Sequence, residues 1–269
     1  MELKTAELKA PAKVNWHLAV GSRRPDGYHP ISSIFQTCSL HDVIKVETGP
    51  GPFRVDVTGL GPLCAKGCST LDKAAVLWHG ATGFDLSLTV HVEKHIPSQA
   101  GLGGGSSDAA TLLLYLNSIS PSPLDKASLM ALGAKVGCDV PFFISQCRAA
   151  YVTGLGEMVE EIKAREDLRG FIIVPEGDKV STGKAYAALD GRQVIPEPEK
   201  KQELLEIYQR PVSRWSFRND FDLVNRVPEI TLEEGEKLLL TGSGSCHVLL
   251  TEREKLTLGD GFSAIRVSF

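Results

Sequence analysis

The sequence predicts an α+β fold of two domains. Segments of strand-like alternation are interleaved with helix-forming stretches along the whole chain. With 269 residues there is room for one large domain or two medium ones, each with a packed core. A Gly154-Leu155-Gly156 turn follows the strand-like run Arg148 to Thr153 and sets the expected boundary, giving domains 1–153 and 154–269.

Composition excludes several classes. A net charge of -4 gives no global basic field for nucleic acid. No apolar run approaches the roughly 20 residues that cross a membrane. The start, Met1 to Glu7, lacks the apolar core of a signal peptide and carries acids a transit peptide avoids, so a cytoplasmic protein is expected. Six scattered cysteines, Cys38, Cys64, Cys68, Cys138, Cys147 and Cys246, are expected as free thiols. The seven histidines lack metal-ligand spacing.

Residues 7–20 read as a strand. Lys13, Asn15 and His17 share one face and Val14, Trp16 and Leu18 the other. The apolar face suits the core; the polar one is either solvated or lines a cleft, and the pattern favours solvation. Pro25-Asp26-Gly27 is a turn, and the Tyr28-His29 pair after it can stack on and hydrogen-bond a nucleobase, or simply plug a core edge. Strands are expected at Ile31 to Leu40, Val43 to Glu47, Phe53 to Val57 and Leu86 to Val92, a helix at Leu71 to Trp78, and an irregular loop over 58–69. Lys94 follows the last of these strands, placed to meet a nucleotide or merely to be solvated.

Next comes Ile96 to Tyr115. Pro97 closes what precedes it. Gly101, Gly103, Gly104 and Gly105 free the backbone, Ser106, Ser107 and Asp108 suit a helix start, and helix formers follow to about Leu116. Main-chain N–H groups converging at such a start, with the helix dipole behind them, suit a phosphate. A second helix is expected over Leu124 to Val136. Asp139 precedes Val140-Pro141-Phe142-Phe143-Ile144; it reads as the N-cap of a short helix or as a carboxylate held rigidly by apolar neighbours, and local pattern favours the cap. Beyond the boundary, a strand is expected at Phe171 to Val174 and a loop at Gly177 to Thr182. Helices are expected near Ala185 and over Lys200 to Tyr208, Asp222 to Val227 and Leu232 to Leu240. Strands are expected at His247 to Thr251 and Ala264 to Phe269. Thr241 to Cys246 is a second Gly-Ser turn.

Common nucleotide motifs fail. Gly177 to Lys184 has five residues between its glycines, and Ala185 replaces the Ser/Thr that a P-loop needs. The dinucleotide pattern G-x-G-x-x-G meets Ser106 from Gly101 and His247 from Gly242 at its sixth position.

The ordered set Pro11-Ala12-Lys13-Val14-Asn15, Asp26-Gly27-Tyr28-His29, Gly101 to Ala110, Asp139 to Phe143, Asn219-Asp220-Phe221-Asp222 and Thr241 to Ser245 resembles the GHMP kinase superfamily over nearly the whole chain. Within it the likeness is to the branch that uses ATP to phosphorylate the 2-hydroxyl of a cytidine-diphosphate-linked methylerythritol in non-mevalonate isoprenoid synthesis. The resemblance implies a two-domain α+β kinase with its active site in the interdomain cleft, an ATP-binding domain at 1–153, and a second domain at 154–269 contributing to the substrate site. It implies Asp139 as base and Lys13 as its partner. It places Pro97, Gly101, Leu102, Gly103, Gly104, Gly105, Ser106 and Ser107 on the phosphates of ATP, with Mg²⁺ between them. Leu71, Thr70 and Lys94 are placed near the adenine, and Asn15, Tyr28, His29, Thr182 and Tyr186 near the acceptor, while Gly242, Ser243 and Gly244 form the C-terminal turn. It implies a small-molecule partner carrying a cytidine diphosphate group, no nucleic acid or membrane partner, and a monomer or homodimer. Another small-alcohol kinase, for mevalonate, homoserine or a sugar, is the rival within the superfamily, and Tyr28-His29 argues against it. A non-catalytic nucleotide sensor is the rival outside enzymes, and intact Lys13 and Asp139 argue against that. The chain departs from the superfamily pattern at Gln99, where a small residue is usual, at Asp108, and in a short segment after Thr251.

Overall fold

The alternation in the first twenty residues folds as β1 (Lys4–Val20), which pairs with β2 (Ile31–Gly49). A computed structural model describes residues 3–61, 65, 67–177, 182–190, 199–225 and 227–269. The expected break between Leu40 and Val43 does not occur. Asp42 continues β2 as a fully buried residue, because its carboxylate accepts from the His95 and Ile96 amides at 2.6 and 2.8 Å and from the Lys94 ammonium. A buried carboxylate is tolerable only with such partners.

The chain forms two compact units, and β1 and β2 run through both. The first comprises the segment ending at Ala12, with Leu40–Ile96 and Gly103–Cys147. In it, β2 pairs antiparallel with β4 (Ser87–Glu93), and β3 (Arg54–Thr58) adds to β4 in parallel. Four helices accompany this sheet: α1 (Thr70–Thr82), α2 (Gly104–Ile119), α3 (Lys126–Val136) and α4 (Val140–Ser145). Ser69 and Asp72 form a reciprocal capping box on α1, and Gly83 ends it in the left-handed region. α1 and α2 pack together, burying Leu71, Ala74, Ala75 and Trp78 from one and Ala109, Ala110, Leu112, Leu113 and Leu116 from the other.

The second unit comprises Lys13–Ser39, Pro97–Leu102 and Arg148–Phe269. Here β2 pairs antiparallel with β5 (Ala149–Thr153), and β5 with β6 (Met158–Glu161), a short polar strand that has no apolar alternation to announce it. An antiparallel sheet follows in the order β10-β7-β9-β8, from β7 (Arg169–Pro175), β8 (Lys237–Leu240), β9 (His247–Leu250) and β10 (Phe262–Ser268). Phe171, Ile173 and Leu249 centre its core. The helices α5 (Thr182–Asp190) and α6 (Lys201–Gln209) agree with expectation. The helix expected at Leu232 to Leu240 does not form: the chain turns at Gly235 (φ +89°), and Leu238 and Leu239 pair opposite Leu249 and Val248. Sheet pairing and burial outweigh the helix propensity of leucine there. Asp220–Val224 is a 3₁₀ turn capped by the Asn219 side chain, replacing the helix expected over Asp222 to Val227. The expected loop at 177–182 lies partly, and Cys64 wholly, outside the described residues; the other five cysteines are free thiols.

His247 sits 3% exposed in β9, and burial pulls its imidazole down to about 4. The unfolded chain, with an ordinary imidazole, therefore binds more protons between pH 6.5 and 4, so stability falls as pH falls through that window. Complete titration costs about 3 kcal/mol. Burial acts oppositely on Asp108, pushing its carboxyl up against the pull of its partner Lys94, so its contribution to the pH dependence runs the other way. Comparing unfolding midpoints of the parent and His247→Gln from pH 7 to 4 separates the two, and the variant is expected to lose less stability on acidification.

Candidate functional site

In the first unit the site is built on the start of α2. Gly103, in the left-handed conformation at φ 70°, is the N-cap and supplies no side-chain cap, so no cap side chain occupies the first amides of the helix. Thr70 Oγ donates to the Gly105 carbonyl at 2.8 Å, tying the start of α1 to the glycine run. Ser106 is half-buried. Ser107 is fully buried, and among the described residues its Oγ has no hydrogen-bond partner. A buried hydroxyl without a partner among convergent helix amides is a polar cradle of the kind that suits phosphate or an oxygen-liganded cation.

Behind that cradle, Lys94 bridges Asp42 and Asp108, the latter at 2.8 Å. Burial alone would lower the Lys94 ammonium, but Asp108 and Asp42 outweigh it and hold it above the ordinary lysine value. The expected strand-end solvation of Lys94 is thus replaced by a double ion pair. Leu71 is wholly buried, so of the three residues expected near an adenine only Thr70 presents an exposed side chain. Asp139 is the N-cap residue of α4, yet its side chain makes no cap hydrogen bond, contrary to the reading that local pattern favoured. Its neighbours Val140, Pro141, Phe142, Phe143 and Ile144 are all buried, as the alternative reading required.

In the second unit the polar face of β1 is not solvated. Lys13, Asn15 and His17 are 3%, 2% and 1% exposed. Lys13 Nζ donates to Asn15 Oδ1 at 2.6 Å and lies 4.5 Å from the centre of the Phe35 ring. The Lys13 amide donates to the Leu102 carbonyl at 3.0 Å, fixing the lysine beside the Pro97–Leu102 segment. Gln99 occupies a positive φ of 53° in that segment, where a non-glycine residue costs about 1–2 kcal/mol. Gly101 packs backbone-on-backbone against the Gly-Ser turn: a Cβ on it would lie 2.2 Å from the Thr241 carbonyl oxygen. The turn is held further by Asn15, whose Oδ1 accepts from the Gly242 amide at 3.0 Å, and by Asn219, which donates to the Leu240 and Gly242 carbonyls. Gly244 stands against the Asn225 amide, and Ser243 Oγ donates to Thr182 Oγ1 at 3.1 Å.

Of the expected acceptor residues, His29 meets Tyr186 and Asp190 of α5, which also carries Thr182, while Asn15 is tied to Lys13 and Gly242. His29 Nδ1 lies 2.9 Å from the Gly21 carbonyl, its Nε2 3.0 Å from Asp190, and its ring 5.4 Å from that of Tyr186. Tyr28 points its ring to solvent at 59% exposure. Sequence reading missed Asp42, Ser33 and Asp190. Of these only Asp42 left a signal, an acid in phase with Ile44 and Val46 on the core face of β2.

Comparison with known proteins agrees with this arrangement. Residues 69–146 match the family model described as the GHMP kinases N terminal domain. A 4-diphosphocytidyl-2-C-methyl-D-erythritol kinase of Solidesulfovibrio magneticus is 36% identical over 93% of this chain and 90% of that protein. The kinase of the same name from Thermotoga maritima is 35% identical over 93% and 94%. A crystal structure of a 4-(cytidine 5'-diphospho)-2C-methyl-D-erythritol kinase superposes with a TM-score of 0.72 at 30% identity, covering 98% of this chain and 100% of that one. The Methanococcus jannaschii mevalonate kinase, at TM-score 0.62 and 13% identity, shares the fold. An α+β chain in two units, with a glycine-rich helix start and a buried lysine strand, thus belongs to the 4-diphosphocytidyl-2-C-methyl-D-erythritol kinase family of the GHMP kinases.

Proposed function

We propose that the protein transfers the γ-phosphoryl group of ATP to the 2-hydroxyl of 4-diphosphocytidyl-2-C-methyl-D-erythritol. The observation that carries the reading is the helix start at Gly103–Ser107, whose amides and unpartnered buried hydroxyl are arranged for an anion, in a chain whose relatives bear that activity as their name. In chain order, residues 1–153 serve as the ATP-binding domain and 154–269 contribute to the acceptor site. The Gly103, Gly104, Gly105 and Ser106 amides hold phosphate oxygens, with Thr70 toward the adenine and Leu71 and Lys94 supporting it from behind. Ser107 Oγ, a hard oxygen beside the phosphate cradle, would help hold Mg²⁺, which when bound would supply neutralising charge there. Asp139 accepts the proton of the attacking hydroxyl. Lys13 offsets charge growing on the transferring group. The cytosine stacks on Tyr186 and Tyr28 and hydrogen-bonds His29, while Asn15 and Thr182 line the same pocket. Both reactants are membrane-impermeant anions, so we place the reaction in the cytoplasm, carried out by a monomer or homodimer.

ADP release, coupled to a spectroscopic readout, tests the reading against a panel of alcohols. Turnover is expected with the cytidyl-erythritol compound and not with mevalonate, homoserine or galactose. Turnover of one of those three instead, or of none, overturns it. Lys13→Ala is expected to lower kcat about 100-fold, the scale of removing one charge-stabilising group, with smaller changes in KM.

A further inference from the structure

Ser33, on β2 opposite Val152 of β5, carries a fully buried hydroxyl that no expectation assigned a role. Its hydrogen-bond directions are fixed by chemistry. The His17 carbonyl can only accept, so the Ser33 hydroxyl proton is committed to it. The lone pairs of Ser33 Oγ are left facing the Asn15 carboxamide at 2.9 Å, which must therefore present Nδ2–H₂. The other end of that amide is then oxygen, and it meets two donors, the Lys13 ammonium at 2.6 Å and the Gly242 amide at 3.0 Å. A rotated amide would face those donors with N–H groups and leave Ser33 opposite a carbonyl oxygen with no proton to offer it. The Asn15 backbone is pinned too, donating to Thr241 Oγ1 at 3.0 Å. Asn15 thereby joins the buried lysine to the Gly-Ser turn, and Ser33 holds the amide that makes the joint.

We propose that Ser33 is a positioning residue for phosphoryl transfer: through the Asn15 amide it fixes the Lys13 ammonium in register with the Gly242–Gly244 turn. This rests on the reading of Lys13 as the catalytic lysine. Without the serine hydroxyl, the Asn15 amide loses the acceptor of its Nδ2–H₂ and with it one of the bonds that fix its last torsion, so it holds the ammonium less firmly in register. The loss should therefore appear in the chemical step rather than in substrate binding.

The experiment compares the parent, Ser33→Ala, Ser33→Thr, Lys13→Ala and the Ser33→Ala/Lys13→Ala pair, with folding checked by circular dichroism. Ser33→Ala is expected to lower kcat about tenfold to a hundredfold, the cost of a slightly misplaced catalytic group, while KM for each substrate moves by less than about threefold. Ser33→Thr, which restores the hydroxyl, should recover most of kcat. In the Lys13→Ala background, Ser33→Ala should cost nothing further, because both changes disable the same group. Parent-like kcat in Ser33→Ala, no recovery in Ser33→Thr, or full additivity in the pair overturns the proposal. Parent-like turnover in Lys13→Ala overturns the lysine reading itself, so the two failures are distinguishable. If Ser33→Ala does not fold, Ser33→Cys keeps the volume with a weak hydrogen-bonding group and is expected to show the same kcat loss; parent-like kcat there overturns the proposal equally.

Discussion

Asp139→Asn is expected to fold like the parent and to lose about a thousandfold in kcat, within the range contributed by a positioned general base. The substitution preserves shape and removes only the capacity to take a proton. It spares the helix as well: the Asp139 side chain does not cap α4, so no cap bond is lost. The helix that follows it is anchored, with Val140, Pro141, Phe142, Phe143 and Ile144 all buried and α4 packed on both α2 and α3. Rigid mounting matters because the attacking oxygen, the phosphorus and the leaving oxygen must stay in line. A thousandfold corresponds to about 4 kcal/mol of transition-state stabilisation. Rapid-quench measurement of the first turnover, with both substrates saturating, checks the value at the chemical step. An unchanged rate, with unchanged circular dichroism, removes Asp139 from the role of base.

A large structural effect is expected from Gly101→Ala. A single methyl at this position would stand 2.2 Å from the Thr241 carbonyl oxygen and 3.1 Å from Gly242 Cα. Both obstacles are backbone, held by the Asn15 and Asn219 hydrogen bonds described above, so no side chain can swing aside. The φ of +74° adds a second penalty of about 1–2 kcal/mol for any L side chain. Together these place the cost above about 4 kcal/mol, among the severest single substitutions. Thermal unfolding of the purified variant should show a midpoint lower by about 10 °C or more, and its affinity for ATP should fall with it. A parent-like midpoint would mean that the Gly-Ser turn moves more readily than its bonds suggest.

Local chemistry explains which features could be read from the chain. The helix after the glycine run, the helix over Leu71 to Trp78 and the short helix after Asp139 depend on neighbours in sequence, and all form. β8 failed because its fate depends on β9: Lys237 to Leu240 is a good helix segment until Val248 and Leu249 offer it a ladder. The polar face of β1 failed for the same kind of reason. Alternating Lys, Asn and His resembles a wet surface, and only Ser33, eighteen residues from Asn15, and Thr241, far along the chain, reveal how those groups are satisfied when buried. Asp139 shows the converse. Its cap position was legible, but whether the carboxylate turns back onto its own helix depends on geometry that the local sequence does not encode.

The double ion pair of Lys94 has a thermodynamic consequence for the segment in front of it. Asp42 clamps the His95 and Ile96 amides, just before Pro97, while the same lysine reaches Asp108, just after the glycine run. Both ends of a stretch with four glycines in five positions are therefore anchored by one charged staple. Glycine-rich chain is normally the costliest to immobilise, and a ligand that has to freeze it surrenders affinity in doing so. A nucleotide bound at the helix start, as proposed, would meet a stretch whose two ends folding has already fixed, and less of the entropy of shaping it would enter the binding constant.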